Sequence, residues 1–129
     1  IKRAEQLKIA DKFHFTNFLK AKDVDHMFSI SDLYVMPSIS EPFGISPLEA
    51  MRSNVPVIIS KQSGVAEVLK NAVKIDYWDE DAMADAIYGL VKYNGLSKMF
   101  IKESKIEVES MKWDKPAKEV KEIYDSFLK

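Results

Sequence analysis

The sequence predicts a three-layer α/β fold, a parallel sheet with helices on both faces. Three observations predict it. Strand and helix patterns alternate along the chain. Two strand candidates, Leu33-Tyr34-Val35-Met36 and Val55-Pro56-Val57-Ile58-Ile59, are continuously apolar, as strands buried on both faces are. The first of them leads through a proline-rich loop into a helix, the usual continuation of a parallel unit. The 129 residues suffice for one domain.

The elements follow in order. Ala4, Leu7 and Ile9 among Lys and Glu predict a helix over 1–10, without an N-cap. Lys12-Phe13-His14-Phe15 alternates and predicts a short strand. Val24, Met27 and Phe28 have helical spacing and predict a helix over 22–30. The apolar run after Asp32 is a strand stopped by Pro37. A short helix spans Pro47 to Ser53, and Val55 to Ile59 is the most β-branched strand. Gly64 to Lys70 is helical and Val73 to Asp76 a weaker strand. Asp79 or Asp81 caps a helix presenting Met83, Ile87, Leu90 and Val91, which Asn94-Gly95 ends. A helix over 97–110 is broken by Trp113 to Pro116, and a last helix presents Ala117, Val120, Tyr124, Phe127 and Leu128. That last face is expected to stay partly exposed. Four strands are few for a doubly wound sheet, which usually has roughly five or six. The opening helix also lacks the strand that a crossover would follow. The expectation is therefore a sheet incomplete on its N-terminal side, with 1–129 a single truncated domain.

Composition excludes several classes. Net charge is −1, with 47% apolar and 30% charged residues, so neither disorder nor a general attraction for nucleic acid is expected. No apolar run approaches the roughly 20 residues of a membrane span. Cysteine is absent, which removes disulfides, thiolate metal sites and a Cys nucleophile, and fits a reducing compartment. His14 and His26 lack the partner that would orient a catalytic imidazole. Asp76, Asp79, Glu80 and Asp81 do not follow calcium-loop spacing and read as a helix start. Ser38, Ser40, Ser60 and Ser63 have no nucleophile-elbow context, and no Walker or dinucleotide glycine pattern is present.

The stretch from Pro37 to Ala50 carries the chemistry. It lies beyond the carboxyl end of a buried strand, where open α/β sheets bind ligands. Prolines stiffen it, and Gly44 allows close backbone approach. Ser46 suits an N-cap and Pro47 the first helical position, and the free N–H groups there suit a phosphate. A carboxylate can accept two hydrogen bonds from a vicinal diol. Glu41 and Glu49 around such a helix start would therefore suit a nucleotide diphosphate sugar. Other roles compete. Ser46-x-x-Glu49 is also a capping box, Glu41 is otherwise a solvated loop charge, and Phe43 a core plug beneath the loop.

Taken together, Ser31-Asp32-Leu33-Tyr34-Val35-Met36-Pro37-Ser38, Glu41-Pro42-Phe43-Gly44, Leu48-Glu49-Ala50-Met51 and Val55-Pro56-Val57-Ile58 resemble the C-terminal donor-binding domain of the group 1 (family 4) glycosyltransferases, which have the two-domain GT-B fold. Ser63 to Leu69, Asp79 with the helix after it, Trp113 and Tyr124 extend the resemblance from about Phe13 to the C-terminus. It implies a Rossmann-like sheet. It also implies a retaining, metal-independent transfer of sugar from a nucleotide diphosphate donor to an acceptor hydroxyl, with no cofactor. By the same resemblance Glu41, Phe43 and Gly44 face the donor sugar, Glu41 being the one catalytic candidate. Ser46 and Leu48 meet the phosphates, and Glu49 holds the ribose. The pyrophosphate-clamping Arg and Lys and the acceptor domain would lie before residue 1, so these residues alone are expected to be inactive. Neither Lys61 nor Arg52 is placed on the phosphate by its position in sequence. The implied parent is cytoplasmic, with peripheral membrane association expected, if anywhere, only of that parent; oligomeric state is left open. Asn17, Asn54 and Asn71-Ala72-Val73 depart from the family where it often has glycine, and Gly64 stands where two glycines are common.

Two other classes compete with the enzyme part. One is a non-catalytic nucleotide- or sugar-binding module. The other is a flavodoxin-like or receiver-like interaction domain, which would want an acidic cluster at the strand ends that Glu41 and Glu49 do not supply early in the chain.

Overall fold

The computed structural model describes residues 1–127. Three parallel strands, β1 (Tyr34–Met36), β2 (Val57–Ser60) and β3 (Val73–Ile75), form one sheet in the order β1-β2-β3. Tyr34, Val35 and Met36 pair with Val57, Ile58 and Ile59, while Ile58, Ile59 and Ser60 pair with Val73, Lys74 and Ile75. All four residues of β2 are buried, as its β-branched run requires of a central strand.

Helices cover both faces. Helices α2 (Ala21–Ser29), α3 (Ser46–Arg52) and α4 (Val65–Val68), with the end of α6 (Asn94–Ser110), enclose Phe28, Met36, Met51, Val57, Ile59, Leu69 and Val108. Helix α5 (Glu80–Lys92) and the start of α6 cover the other face, around Ile58, Ile75 and Leu90. Val57 and Ile59 point one way and Ile58 the other, the period-two alternation of a strand with apolar material on both sides. Helix α1 (Lys2–Gln6) precedes them, and α7 (Asp114–Phe127) ends the described chain with no buried residue.

Several expectations are corrected. The helix expected over 1–10 stops at Gln6. Lys8 takes a left-handed φ of 56° and the N–H groups of Lys8 and Ile9 donate to Glu5 and Ala4, a Schellman ending built without glycine. The strand expected at 12–15 is absent: Ala10–Lys12 is a 3-10 turn and Phe13 and Phe15 stack on each other at 6.2 Å. Alternation supplies the side-chain pattern of a strand, but this segment has no ladder partner among the described residues to satisfy its backbone. The sheet therefore has three described strands, not four. The break between α5 and α6 falls at Tyr93, not at Asn94-Gly95. Tyr93 is extended (φ −103°, ψ 92°) and its carbonyl accepts from Leu96 and Ser97, so Asn94 already begins α6. Helix α7 starts at Asp114, ahead of Pro116, because the first helical turn has no use for a proline's missing N–H. The face expected on α7 is wholly exposed, with Ile123 added to it; Leu128 lies outside the described residues.

One packing device has no sequence signature. The Glu107 carboxylate on α6 accepts from the N–H groups of Lys70 (2.7 Å) and Asn71 (2.8 Å) and from the Asn71 side-chain amide (3.0 Å). It thereby ties α6 to the turn before β3. Glu107→Ala is expected to cost about 1–3 kcal/mol in urea unfolding and to speed amide exchange at Lys70 and Asn71. Unchanged exchange at both amides would contradict that role.

Candidate functional site

The loop 37–45 leaves the carboxyl end of β1 and is fastened to the segment after β2. Ser60 Oγ donates to the Ser38 carbonyl at 2.6 Å, and Ser63 Oγ to the Ser60 carbonyl at 2.7 Å. Glu41 pairs with Ser63 as a parallel bridge. The N–H of Gly64 donates to the Glu41 carbonyl at 2.8 Å and that of Val65 to the Phe43 carbonyl at 2.9 Å. Gly64 is needed for steric reasons alone. Its φ is an ordinary −59°, but a Cβ there would lie 1.9 Å from the Pro42 carbonyl oxygen. Gly44 is needed for its conformation, φ +87°, and a Cβ there would also meet Glu41 Cγ at 3.1 Å and Met36 Cε at 3.2 Å.

These contacts decide where the expected site residues fall. Glu41 is half-buried, its side chain against Gly44. Phe43 is 41% exposed, so it is not a core plug; its carbonyl accepts from the Val65 N–H. Ser46 is not the N-cap. Ile45 occupies that position with helical φ and ψ and no side-chain cap, while Ser46 is the first helical residue and its hydroxyl meets Tyr34 Oη at 2.7 Å. The capping box is therefore not formed. Glu49, one turn into α3, is exposed and its carboxylate has no hydrogen-bond partner among the described residues. The Leu48 N–H donates to the Ile45 carbonyl at 2.9 Å and is already used within the turn. By contrast, no described acceptor meets the N–H groups of Phe43, Gly44, Ile45 and Ser46. Four consecutive main-chain donors thus stand between the two carboxylates in sequence.

Cationic neighbours lie elsewhere. Lys61 Nζ bonds Asp76 Oδ2 at 2.7 Å, Gln62 Nε2 bonds Asp76 Oδ1 at 2.8 Å, and the Tyr77 N–H donates to Gln62 Oε1 at 3.2 Å. Arg52 ends α3, about 9 Å along the helix from Ser46. Asp79 caps α5 by accepting from the Ala82 N–H at 3.0 Å, so the acidic cluster is spent on protein contacts at Asp76 and Asp79. His14 and His26 are exposed, and neither side chain bonds to the loop among the described residues. Two cavities, of about 210 and 440 Å³, also lie away from it. Asp32, Leu90 and Asn94 line the first, Ile87, Tyr88 and Val91 the second.

Sequence reasoning missed the Tyr34–Ser46 contact, which no local pattern signals. The Lys61–Asp76 pair was within reach. Ser60 and Ile75 are partners in register, so the next residues of β2 and β3 are opposite charges side by side.

Residues 1–107 match the family model described as glycosyl transferases group 1, and the chain belongs to that family. An uncharacterized glycosyltransferase of Methanocaldococcus jannaschii is 31% identical over 124 residues, covering 92% of this chain and 32% of its own length. The O-antigen chain mannosyltransferase of Salmonella typhimurium is 39% identical over 82 residues, 63% of this chain and 23% of that protein. The chain thus spans about a third or less of these relatives. Among solved structures, sucrose-phosphate synthase from Thermosynechococcus elongatus superposes with a TM-score of 0.82 at 22% identity, over 98% of this chain and 33% of that one. The C-terminal domain of a group 1 glycosyl transferase from Francisella tularensis gives 0.76 at 21% identity, over 84% of this chain and 58% of that one. Both likenesses establish the Rossmann-like fold. Among the described residues no helix is long and apolar enough to cross a membrane.

Two outcomes test the geometry. Gly64→Ala should detach the loop from the β2 end and lower the thermal midpoint, whereas Gly95→Ala, with open space around it, should not. The Lys61 ammonium, then the Gln62 amide, holds the Asp76 carboxyl below its ordinary 3.8. A lowered folded pKa contributes stability that is full above the ordinary value and is lost as pH falls through the folded one. Lys61→Met should therefore move the Asp76 titration back up, read by carboxyl NMR. Its destabilisation should be present at neutral pH and vanish in acid.

Proposed function

We propose that this chain is the donor-binding part of a retaining, metal-independent glycosyltransferase. The whole protein would be cytoplasmic and would move a sugar from a nucleotide diphosphate sugar to an acceptor hydroxyl. The acceptor and the cations on the pyrophosphate would be supplied by another domain. Transfer breaks the bond between the anomeric carbon and the diphosphate oxygen, which leaves with the electron pair. The acceptor oxygen takes its place on the same face and passes its proton to the departing diphosphate oxygen.

The observation that carries this reading is the run of unpaired N–H groups from Phe43 to Ser46, flanked by Glu41 and Glu49 in the family's motif order. In a water-poor cleft such preorganised donors stabilise charge that grows on a departing diphosphate. Glu49 accepts the ribose diol, Glu41 the donor-sugar hydroxyls, and Phe43 and Gly44 turn their N–H groups to that sugar. Ser46 faces the phosphates. The family role of Leu48 at the phosphates needs its N–H released from Ile45, or passes to Ile45 itself. Lys61 is neutralised by Asp76, and Arg52 lies at the far end of α3, so the cationic clamp is assigned elsewhere in the protein.

The test is calorimetric titration of the whole protein with uridine, guanosine and adenosine diphosphates and their sugars. Glu49→Ala should weaken nucleoside diphosphate binding by roughly 10- to 100-fold, the range of a hydrogen bond to a charged group, with unfolding free energy within about 0.5 kcal/mol of the parent. Glu41→Ala should leave diphosphate affinity intact and remove the extra affinity that the sugar confers. Equal nucleotide affinity in Glu49→Ala and the parent would overturn the assignment.

A further inference from the structure

Tyr34 opens β1, and its side chain reaches the start of α3, where Tyr34 Oη and Ser46 Oγ lie 2.7 Å apart. Neither hydroxyl has another hydrogen-bond partner among the described residues. Each brings one O–H hydrogen, and the bond between the two oxygens uses only one of them. One O–H donor is therefore left over. Both side chains are only half-buried, so this donor can meet a ligand. It belongs to the same pair as Ser46, whose main-chain N–H also lacks a described acceptor.

The direction of the bond decides which oxygen keeps the spare hydrogen. A phenol is a stronger acid than an alcohol and the better donor, while the alcohol oxygen is the better acceptor. Donation from Tyr34 leaves the spare hydrogen on Ser46 Oγ. The phenol is also the fixed member of the pair. The Tyr34 N–H donates to the Pro56 carbonyl at 3.0 Å, and the residue pairs with Val57 in the central ladder. Its ring meets Phe28 edge-on, with centroids 5.7 Å apart and planes at 71°. A serine side chain has several staggered rotamers to choose from, and this contact selects one. Helix α3 has other anchors: Pro47, Ala50 and Met51 seat it on the sheet, all of them buried. A polar tie from a sheet tyrosine is not needed to hold it there.

We propose that Tyr34 is a positioning residue of the donor site. It donates to Ser46 Oγ, fixes the serine rotamer and leaves the Ser46 O–H and N–H together for the diphosphate. Hydrogen bonds in a chain polarise one another, so the serine donates more strongly with the phenol behind it. Tyr34 itself touches no ligand. This rests on the donor-binding reading above.

The experiment titrates the whole protein calorimetrically with uridine, guanosine and adenosine diphosphates, and with the same nucleosides lacking phosphate. Ser46→Ala should weaken the diphosphate that binds best roughly tenfold, the low end for a bond to a charged group. Tyr34→Phe keeps the ring that meets Phe28. It should weaken the same diphosphate roughly two- to fivefold, the share that a neighbour in a hydrogen-bond chain contributes. Nucleoside binding should not change. The double variant should bind the diphosphate as Ser46→Ala does, because both substitutions break one chain. Parental diphosphate affinity in Tyr34→Phe would overturn the role. So would an equal loss for nucleoside and diphosphate, or full additivity in the double variant, since either marks Tyr34 as a packing contact. If Tyr34→Phe acts as expected and Glu49→Ala does not, the ribose assignment falls and the phosphate assignment stands. Failure of the parent protein to bind any of the three diphosphates would remove the donor reading and this role with it.

Discussion

The site depends on how closely two backbones approach at Gly64. The loop after β1 can lie on the end of β2 only because no Cβ stands between Gly64 and the Pro42 carbonyl. That contact lets Gly64 and Val65 donate to Glu41 and Phe43, which uses two carbonyls of the loop while the N–H groups from Phe43 to Ser46 meet no described acceptor. The polarity of the loop is thus a result of packing. The carbonyls of Ser38, Glu41 and Phe43 are bonded to the protein while the N–H groups from Phe43 to Ser46 meet no described acceptor, which favours an anionic or hydroxyl-rich ligand over a cation.

Most of the architecture was legible in the sequence because its strongest signals are physical necessities. A strand buried on both faces must be apolar throughout, and β1 and β2 are. The errors fall where a local pattern needed a distant partner. Lys12 to Phe15 alternates properly but finds no neighbour to share a ladder. Ser46 and Glu49 have the spacing of a capping box. Ile45 continues the helical backbone one residue earlier, which moves Ser46 inside the helix and hands its hydroxyl to Tyr34. The departures from family glycines proved informative. Asn54 adopts φ 61° and Asn17 φ 54°, the left-handed conformation that Asn tolerates next best. At Asn54 the N–H groups of Asn54 and Val55 donate to Met51 and Ala50, so α3 still ends in a Schellman turn.

Electrostatics along the carboxyl edge divide by strand. Over β2 and β3 the charges cancel in register, Lys61 against Asp76. Beside β1 two carboxylates remain with main-chain donors between them in sequence, and no ion pair within 4.0 Å is seen for either among the described residues. Negative side chains alone would repel a diphosphate. The arrangement is coherent when the acids take hydroxyls and the amides take phosphate oxygens, with cations arriving from outside these residues.

Helix α7 buries none of its residues, and Trp113, just before it, is 88% exposed. Its helical content is consequently uncoupled from the sheet: it can fray while the layers beneath remain intact. The two indoles of this chain therefore observe different events. Trp113 witnesses the loosening of a peripheral rod, whereas Trp78, set edge-on against Tyr77 beside β3, witnesses collapse of the scaffold itself. Total ellipticity and total emission would each blend the two.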